Sequence, residues 1–149
     1  MLLNGKQVLN AARPNVWEIL MNPEVLAKLI PGVSKLEKID EHQFRSFFTI
    51  KLGPVNGSFT GNLQLEDVQA PREFTLKIQQ NSKIGNANAA VKIELTPISE
   101  SQTQISFEGD AKLSGMLAGM GQRLLGGVAN TLTKQFFSNL EKEIELHPN

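Results

Sequence analysis

The chain of 149 residues holds few side chains able to attack a bond or move a proton, and its only imidazoles are His42 and His147. An imidazole that works as a base or a metal ligand needs a partner within reach, whether a nucleophile, a carboxylate or a second ligand at metal spacing. His42 falls in a predicted turn and His147 in the tail His147-Pro148-Asn149; neither has such a partner, so both read as exposed bystanders. Cysteine and tyrosine are absent. The first absence removes thiolate metal sites, thiol nucleophiles and disulfides, as suits a cytoplasmic protein, and the second removes a common acid and oxyanion donor. The serines form neither a GxSxG elbow nor an SxxK pair, and no two carboxylates share a predicted inward face. The glycine-rich run from Gly115 to Gly127 matches no phosphate-cradling pattern. No catalytic set, metal or cofactor is expected.

Arg123 is the polar residue that stands out, because it lies among those glycines. At a pocket mouth its guanidinium could bind a ligand carbonyl, a phospholipid head or a partner carboxylate; on an ordinary helix it would simply face water. Trp17 carries a similar pair of readings, the core side of a short amphipathic helix or the rim of a pocket.

The stretch that must position Arg123 runs from Gly115 to Ile144. Met116, Met120, Leu124, Val128, Leu132, Phe136, Leu140 and Ile144 recur at a four-residue step, and Leu117, Leu125 and Phe137 widen the stripe. One long helix with one apolar side is predicted. Gly119, Gly121, Gly126 and Gly127 crowd its first half, where each interior glycine costs roughly 1 kcal/mol against alanine. Helix physics alone favours close approach to a sheet as the explanation; the alternative is a mobile segment that opens over a cavity or touches a membrane.

Fifteen basic and fifteen acidic residues (Lys+Arg 15, Asp+Glu 15) cancel, and neither sign is gathered into a block, which argues against a nucleic-acid partner. The N-terminal MLLNGKQVLN lacks the pattern of a secretory signal. Leu113 to Leu132 approaches spanning length, but Gln122 and Arg123 occupy its middle, where an arginine costs at least ~2.5 kcal/mol. A soluble single domain over residues 1–149 is expected, with interfacial membrane contact at most.

A first strand is predicted at Leu2 to Leu9. Pro14, Val16, Trp17 and Leu20 then mark a short helix, and Asn22-Pro23 starts a second one bearing Val25, Leu26 and Leu29, ended by Pro31-Gly32. From Val33 the period changes to two, predicting strands over Val33 to Ile39, Gln43 to Leu52, Val55 to Val68, Glu73 to Gln80, Asn86 to Leu95 and Thr103 to Leu113. The separators Asp40-Glu41, Gly53-Pro54, Ala70-Pro71, Asn81 to Gly85 and Pro97 to Ser101 are short and carry turn chemistry, so the strands should form an antiparallel meander. The economical assembly is an α+β fold: a curved, seven-stranded antiparallel sheet wrapped around one long C-terminal helix, with two short helices after the first strand.

The predicted inner face is not uniformly bulky. Gly57 and Gly61 flank Phe59, Ala87 and Ala89 precede Val91, and Gly109 and Ala111 follow Phe107. Such residues can be bends in a coiled sheet, or they can leave an elongated apolar pocket between sheet and helix; the two are compatible.

Several stretches together resemble the CoxG family, named for the CoxG subunit of carbon monoxide dehydrogenase, within the helix-grip (Bet v 1/START-like, SRPBCC) superfamily. They are PNVWEILMNPEVLAKLIPG at Pro14 to Gly32, LGPVNGSFTGNLQL at Leu52 to Leu65, Pro71 to Pro97 with its NANAAVKIELTP close, and Gly115 to Leu140 with LAGMGQRLLGG and FFSNL. The resemblance implies a seven-stranded sheet gripping a C-terminal helix around an apolar cavity. It also implies an accessory protein of molybdenum-containing carbon monoxide dehydrogenases and related hydroxylases, concerned with tethering or electron hand-over at the cytoplasmic membrane. Some members carry a long C-terminal extension suited to anchoring; this sequence stops at Asn149, so peripheral contact at the inner face is the expectation.

Residues and resemblance together predict a non-enzymatic, cytoplasmic carrier of a hydrophobic small molecule or lipid, such as an isoprenoid quinone, with molybdenum hydroxylase subunits as partners. The expected ligand-binding residues are Trp17, Phe48, Gly57, Phe59, Gly61, Ala87, Ala89, Phe107, Met116, Met120, Leu124 and Val128. Leu117, Gly119, Gly121, Arg123, Gly126 and Gly127 are expected to form a gate or partner surface, with Phe136, Phe137, Leu140 and Ile144 as a fixed plug at the other end. The small inner residues thus tip the glycine run towards the mobile reading. The alternative is an adaptor that recruits or assembles the enzyme without a ligand; an enzyme ranks last.

Overall fold

The computed structural model describes residues 1–147; Pro148 and Asn149, the end of the expected exposed tail, lie outside the described residues. Strand β1 (Leu2–Leu9) is followed by helices α1 (Arg13–Met21) and α2 (Pro23–Leu29). Strands β2 (Val33–Asp40), β3 (Gln43–Leu52), β4 (Val55–Gln69), β5 (Glu73–Ser82), β6 (Gly85–Ser99) and β7 (Gln102–Leu113) come next, and helix α3 (Gln122–Leu146) is last. The strands make one sheet in the order β1-β7-β6-β5-β4-β3-β2, with every neighbouring pair antiparallel. Consecutive strands β1 and β2 therefore lie at opposite edges, and α1 and α2 carry the chain between them. Asn22 caps α2 by accepting from the Glu24 N–H at 3.1 Å, and Pro23 opens it where no N–H is needed.

Alternation along the strands turns one face inwards, and α3 covers it. The apolar interior divides in two. A large cluster joins α1 and α2 to the far half of α3, with Leu20, Leu29, Phe44, Leu63, Phe74, Leu95, Phe137, Leu140 and Ile144 buried in it. A smaller cluster of Val55, Phe59, Leu117 and Leu125 lies under the near end of α3, with Ile50, Ile84, Leu113 and Val128 packed on it and Phe48 touching both clusters.

The attachments of α3 are as uneven as its composition. Its side-chain hydrogen bonds to other elements, among the described residues, all fall at the far end: Asn139 Nδ2 donates to the Leu29 carbonyl at 3.1 Å, Gln7 donates to Glu141, and Asn15 Nδ2 donates to the carbonyl of His147 at 3.1 Å. At the near end Leu125 and Val128 pack on the smaller apolar cluster. Local opening should begin where hydrogen bonds to the body are fewest.

Two predicted elements are corrected. The single helix expected from Gly115 is broken: residues 115–117 turn, Ala118–Met120 make one 3-10 turn, and α3 begins only at Gln122. Gly115 (φ 65°) and Gly121 (φ 85°) take left-handed backbone that a helix interior excludes. The apolar step of four crosses that break by coincidence. Pro97, expected to separate strands, lies within β6 opposite Thr103. Pairing with β5 ends at Glu73 opposite Glu94, so beyond it β6 is an edge on that side, where a residue without an N–H is tolerated.

Candidate functional site

Between the hairpin tip joining β3 to β4 and the first turns of α3 lies a hollow of about 600 Å³, lined by Leu52, Gly53, Pro54, Met120, Arg123, Leu124, Gly127, Val128 and Thr131. Val128 and Met120 also pack on the smaller cluster, so the hollow leads onto Phe59, Val55 and Leu125. Met120, Leu124 and Val128, expected to bind ligand, thus meet Arg123 and Gly127, expected at the gate, in one place. Arg123 is exposed at the rim and has no ion-pair partner among the described residues.

The glycines of this end have distinct causes. A Cβ on Gly119, Gly121, Gly126 or Gly127 would meet nothing within 4 Å, so close packing against the sheet explains none of them. Gly121 is accounted for by its positive φ, whereas Gly126 and Gly127 sit in helix where alanine would be stabilising. A glycine pair inside a helix is a place where bending costs little. Leu117, expected at the gate or partner surface, is buried and tied to the sheet. It is 4% exposed, its N–H donates to the Ile84 carbonyl at 3.0 Å, and the preceding Ser114 N–H donates to Asn86 O at 3.0 Å. Gly85 and Gly115 interlock beneath it, since a Cβ on Gly115 would lie 3.0 Å from the Gly85 Cα. Met116, expected inside, is 63% exposed, because the turn that buries Leu117 points its neighbour outwards.

The other expected ligand residues divide between clusters. Phe59 is buried in the smaller one, and Gly57 lets the Ile84 side chain approach to 3.7 Å of where its Cβ would be. Trp17 and Phe107 belong to the large cluster, away from the hollow: Trp17 packs edge-on to Phe74 with ring centres 5.7 Å apart, and Phe107 leans on Phe137 at 6.0 Å and lies across Gly5. Gly61, Ala87 and Ala89 occupy the seam between the clusters. At Gly61 the backbone of β5 presses close, so that a Cβ there would strike the Gln79 carbonyl oxygen.

The seam holds what the sequence reading missed. One register row runs Ser46, Gly61, Gln80, Ala87, Leu113 across the inner face. Ser46 is 0% and Gln80 5% exposed, and the Gln80 carboxamide reaches over the bare Gly61 to donate to Ser46 Oγ at 2.7 Å. Both lie in phase with Phe44 and Phe48, and with Phe74, Leu76 and Ile78, so strict alternation was the signal that places them inside.

Other features offer less. His42 sits in the β2–β3 turn, its N–H held by Asp40, and His147 lies 3.4 Å from the Glu143 carboxylate at the far end of α3. No group of three or more metal-ligating side chains occurs among the described residues, and no helix there is long and apolar enough to cross a membrane. A larger hollow of about 650 Å³ lies against the sheet's outer face, where Gln43, Asn62, Gln64, Lys77, Gln79 and Lys112 line it together with Ile39 and Ala90.

A sheet closed on one long helix around an apolar interior is the helix-grip architecture of START-like proteins. Within that class the chain belongs to the CoxG family, since the family model that describes the CoxG subunit of carbon monoxide dehydrogenase matches residues 5–145. It is similar to a conserved protein from Geobacillus kaustophilus at 34% identity and a TM-score of 0.94, covering 97% of this chain and 95% of that one. A START superfamily protein from Mycobacterium smegmatis (12% identity, TM-score 0.77, 99% of both chains) shares the fold. So does the Zhui aromatase/cyclase from Streptomyces sp. R1128 (13% identity, TM-score 0.72, 97% of this chain and 93% of that one). No curated protein matches the chain. Family and fold together suggest a ligand-binding accessory role.

Proposed function

We propose that this protein is a non-enzymatic carrier of a hydrophobic ligand, an isoprenoid quinone or similar lipid. It serves a molybdenum-containing carbon monoxide dehydrogenase-like oxidoreductase at the cytoplasmic face of the membrane. The observation that carries the proposal is the half-anchored α3. Its far end is bonded to three other elements, while its near end closes an apolar cluster through a segment whose Gly126 and Gly127 answer to no packing need. Swinging that segment away would expose Phe59, Val55 and Leu125 to an incoming apolar chain, with exposed Met116 and Arg123 beside the opening to meet a membrane surface.

The test is extraction. Protein incubated with phospholipid vesicles doped with a long-chain isoprenoid quinone, then re-isolated, should carry quinone in near-stoichiometric amount. Protein recovered bare from such vesicles would refute the carrier reading.

A second reading, an adaptor for recruiting or assembling that oxidoreductase, is favoured by one observation: Met116, Gly119, Gly121 and Arg123 form an exposed patch at the near end. Capture of the enzyme that survives Phe59→Trp but not Met116→Asp would support the adaptor.

A further inference from the structure

The Ser46–Gln80 pair is a polar feature in the middle of an apolar interior. Gln80 Oε1 is buried with no hydrogen-bond partner, and Gln80 itself is 5% exposed. A carboxamide atom left unpaired in such a place weakens the fold unless something meets it. Its register neighbours are small: Gly61 and Ala87 stand beside it, and Ala89 and Ala111 share the next row with Leu63 and Ile78. The rows on either side carry Phe44 and Leu63 of one cluster, and Phe48 and Phe59 towards the other. Gln80 is thus at the seam where an apolar molecule lying along the inner face would pass.

We infer that Gln80, held by Ser46, receives an oxygen-bearing end of the ligand, a carbonyl or a hydroxyl. This rests on the carrier reading and names the chemistry of its ligand. As oriented, Gln80 Nε2 donates to Ser46 and Oε1 is free to accept from a hydroxyl. Turning the carboxamide over reverses both bonds: the Ser46 hydroxyl donates to Oε1, and Nε2 is free to donate to a carbonyl. A serine partner permits either state because its hydroxyl both donates and accepts. The pair therefore accommodates a ligand whose oxygen changes between carbonyl and hydroxyl, as in a quinone and its quinol.

The test compares decyl-benzoquinone, its quinol and decylbenzene, the last having the same chain without oxygen. Wild-type protein should bind quinone and quinol better than decylbenzene, and Gln80→Leu with Ser46→Ala should lose roughly 3- to 10-fold of that preference while binding decylbenzene at least as well. A second readout needs no variant: the infrared carbonyl band of ¹³C-labelled quinone should shift down on binding, as hydrogen bonding requires. Preference retained in the variant, or an unshifted carbonyl band, would overturn the inference while leaving the carrier reading intact. Failure of the wild-type protein to bind any of the three would overturn both.

Discussion

Replacing Gly126 and Gly127 together by alanine is the most informative perturbation of α3. Both lie in its second turn, and a Cβ at either would meet nothing within 4 Å, so no steric cost opposes the gain in helix propensity. That gain is about 0.8–1.0 kcal/mol per site, or about 2 kcal/mol for the pair. In a domain of this size each kcal/mol moves Tm by roughly 2–4 °C, so the double variant should melt about 4–8 °C higher by circular dichroism. If ligand entry requires the near end of α3 to bend or unwind at this pair, the same free energy is added to the opening step. Uptake of quinone from vesicles should then slow by up to about 30-fold. A fall in Tm would show that these positions are packed and refute the account of the glycines. A rise in Tm with unchanged uptake would place the gate elsewhere.

Gly61→Ala should behave oppositely, destabilising by about 1–3 kcal/mol in urea titrations, because its Cβ would strike the Gln79 carbonyl. Thr103→Val should cost about 1–3 kcal/mol, since the buried Thr103 hydroxyl donates to the Ala11 carbonyl at 2.8 Å and the substitution leaves that oxygen unpaired; a neutral result would mean water reaches it. Ala89→Phe should abolish quinone uptake by filling the seam, with secondary structure retained by circular dichroism. Hydrogen bonding to Glu94, with further help from Glu73, raises the Lys92 pKa above its ordinary 10.5. A pKa raised by folding stabilises below the unfolded value, so this contribution is present at neutral pH and is lost as pH climbs through the raised pKa above 10.5. Urea titrations across alkaline pH should show a small, salt-sensitive loss that Lys92→Met lacks.

Most of the fold was legible because its signals are local. The change from a helical period to a period of two at Val33, and turn chemistry such as Gly53-Pro54, are read from a few residues each and place the strand starts closely. The plug end of α3 was legible for the same reason, with Phe137, Leu140 and Ile144 buried as the stripe predicts. The near end was not. Apolar period carries no information on backbone sign, so Met116 and Met120 continue a stripe that the positive φ values of Gly115 and Gly121 interrupt. Trp17 and Phe107 fit a ligand site by chemical type, but which cluster an aromatic joins depends on how the sheet coils, which no local pattern records. Ser46 and Gln80 were legible by phase, yet polar side chains read first as solvent-facing; only the structure shows that Gly61 lets one reach the other.

The central claim, that the near end of α3 opens over an apolar ligand, is met most directly by native mass spectrometry of protein purified from its own host. The account predicts a bound species whose extract is an apolar chain with a carbonyl or hydroxyl head. Repeated recovery of the empty mass, from protein that also takes up no quinone from vesicles, would contradict it.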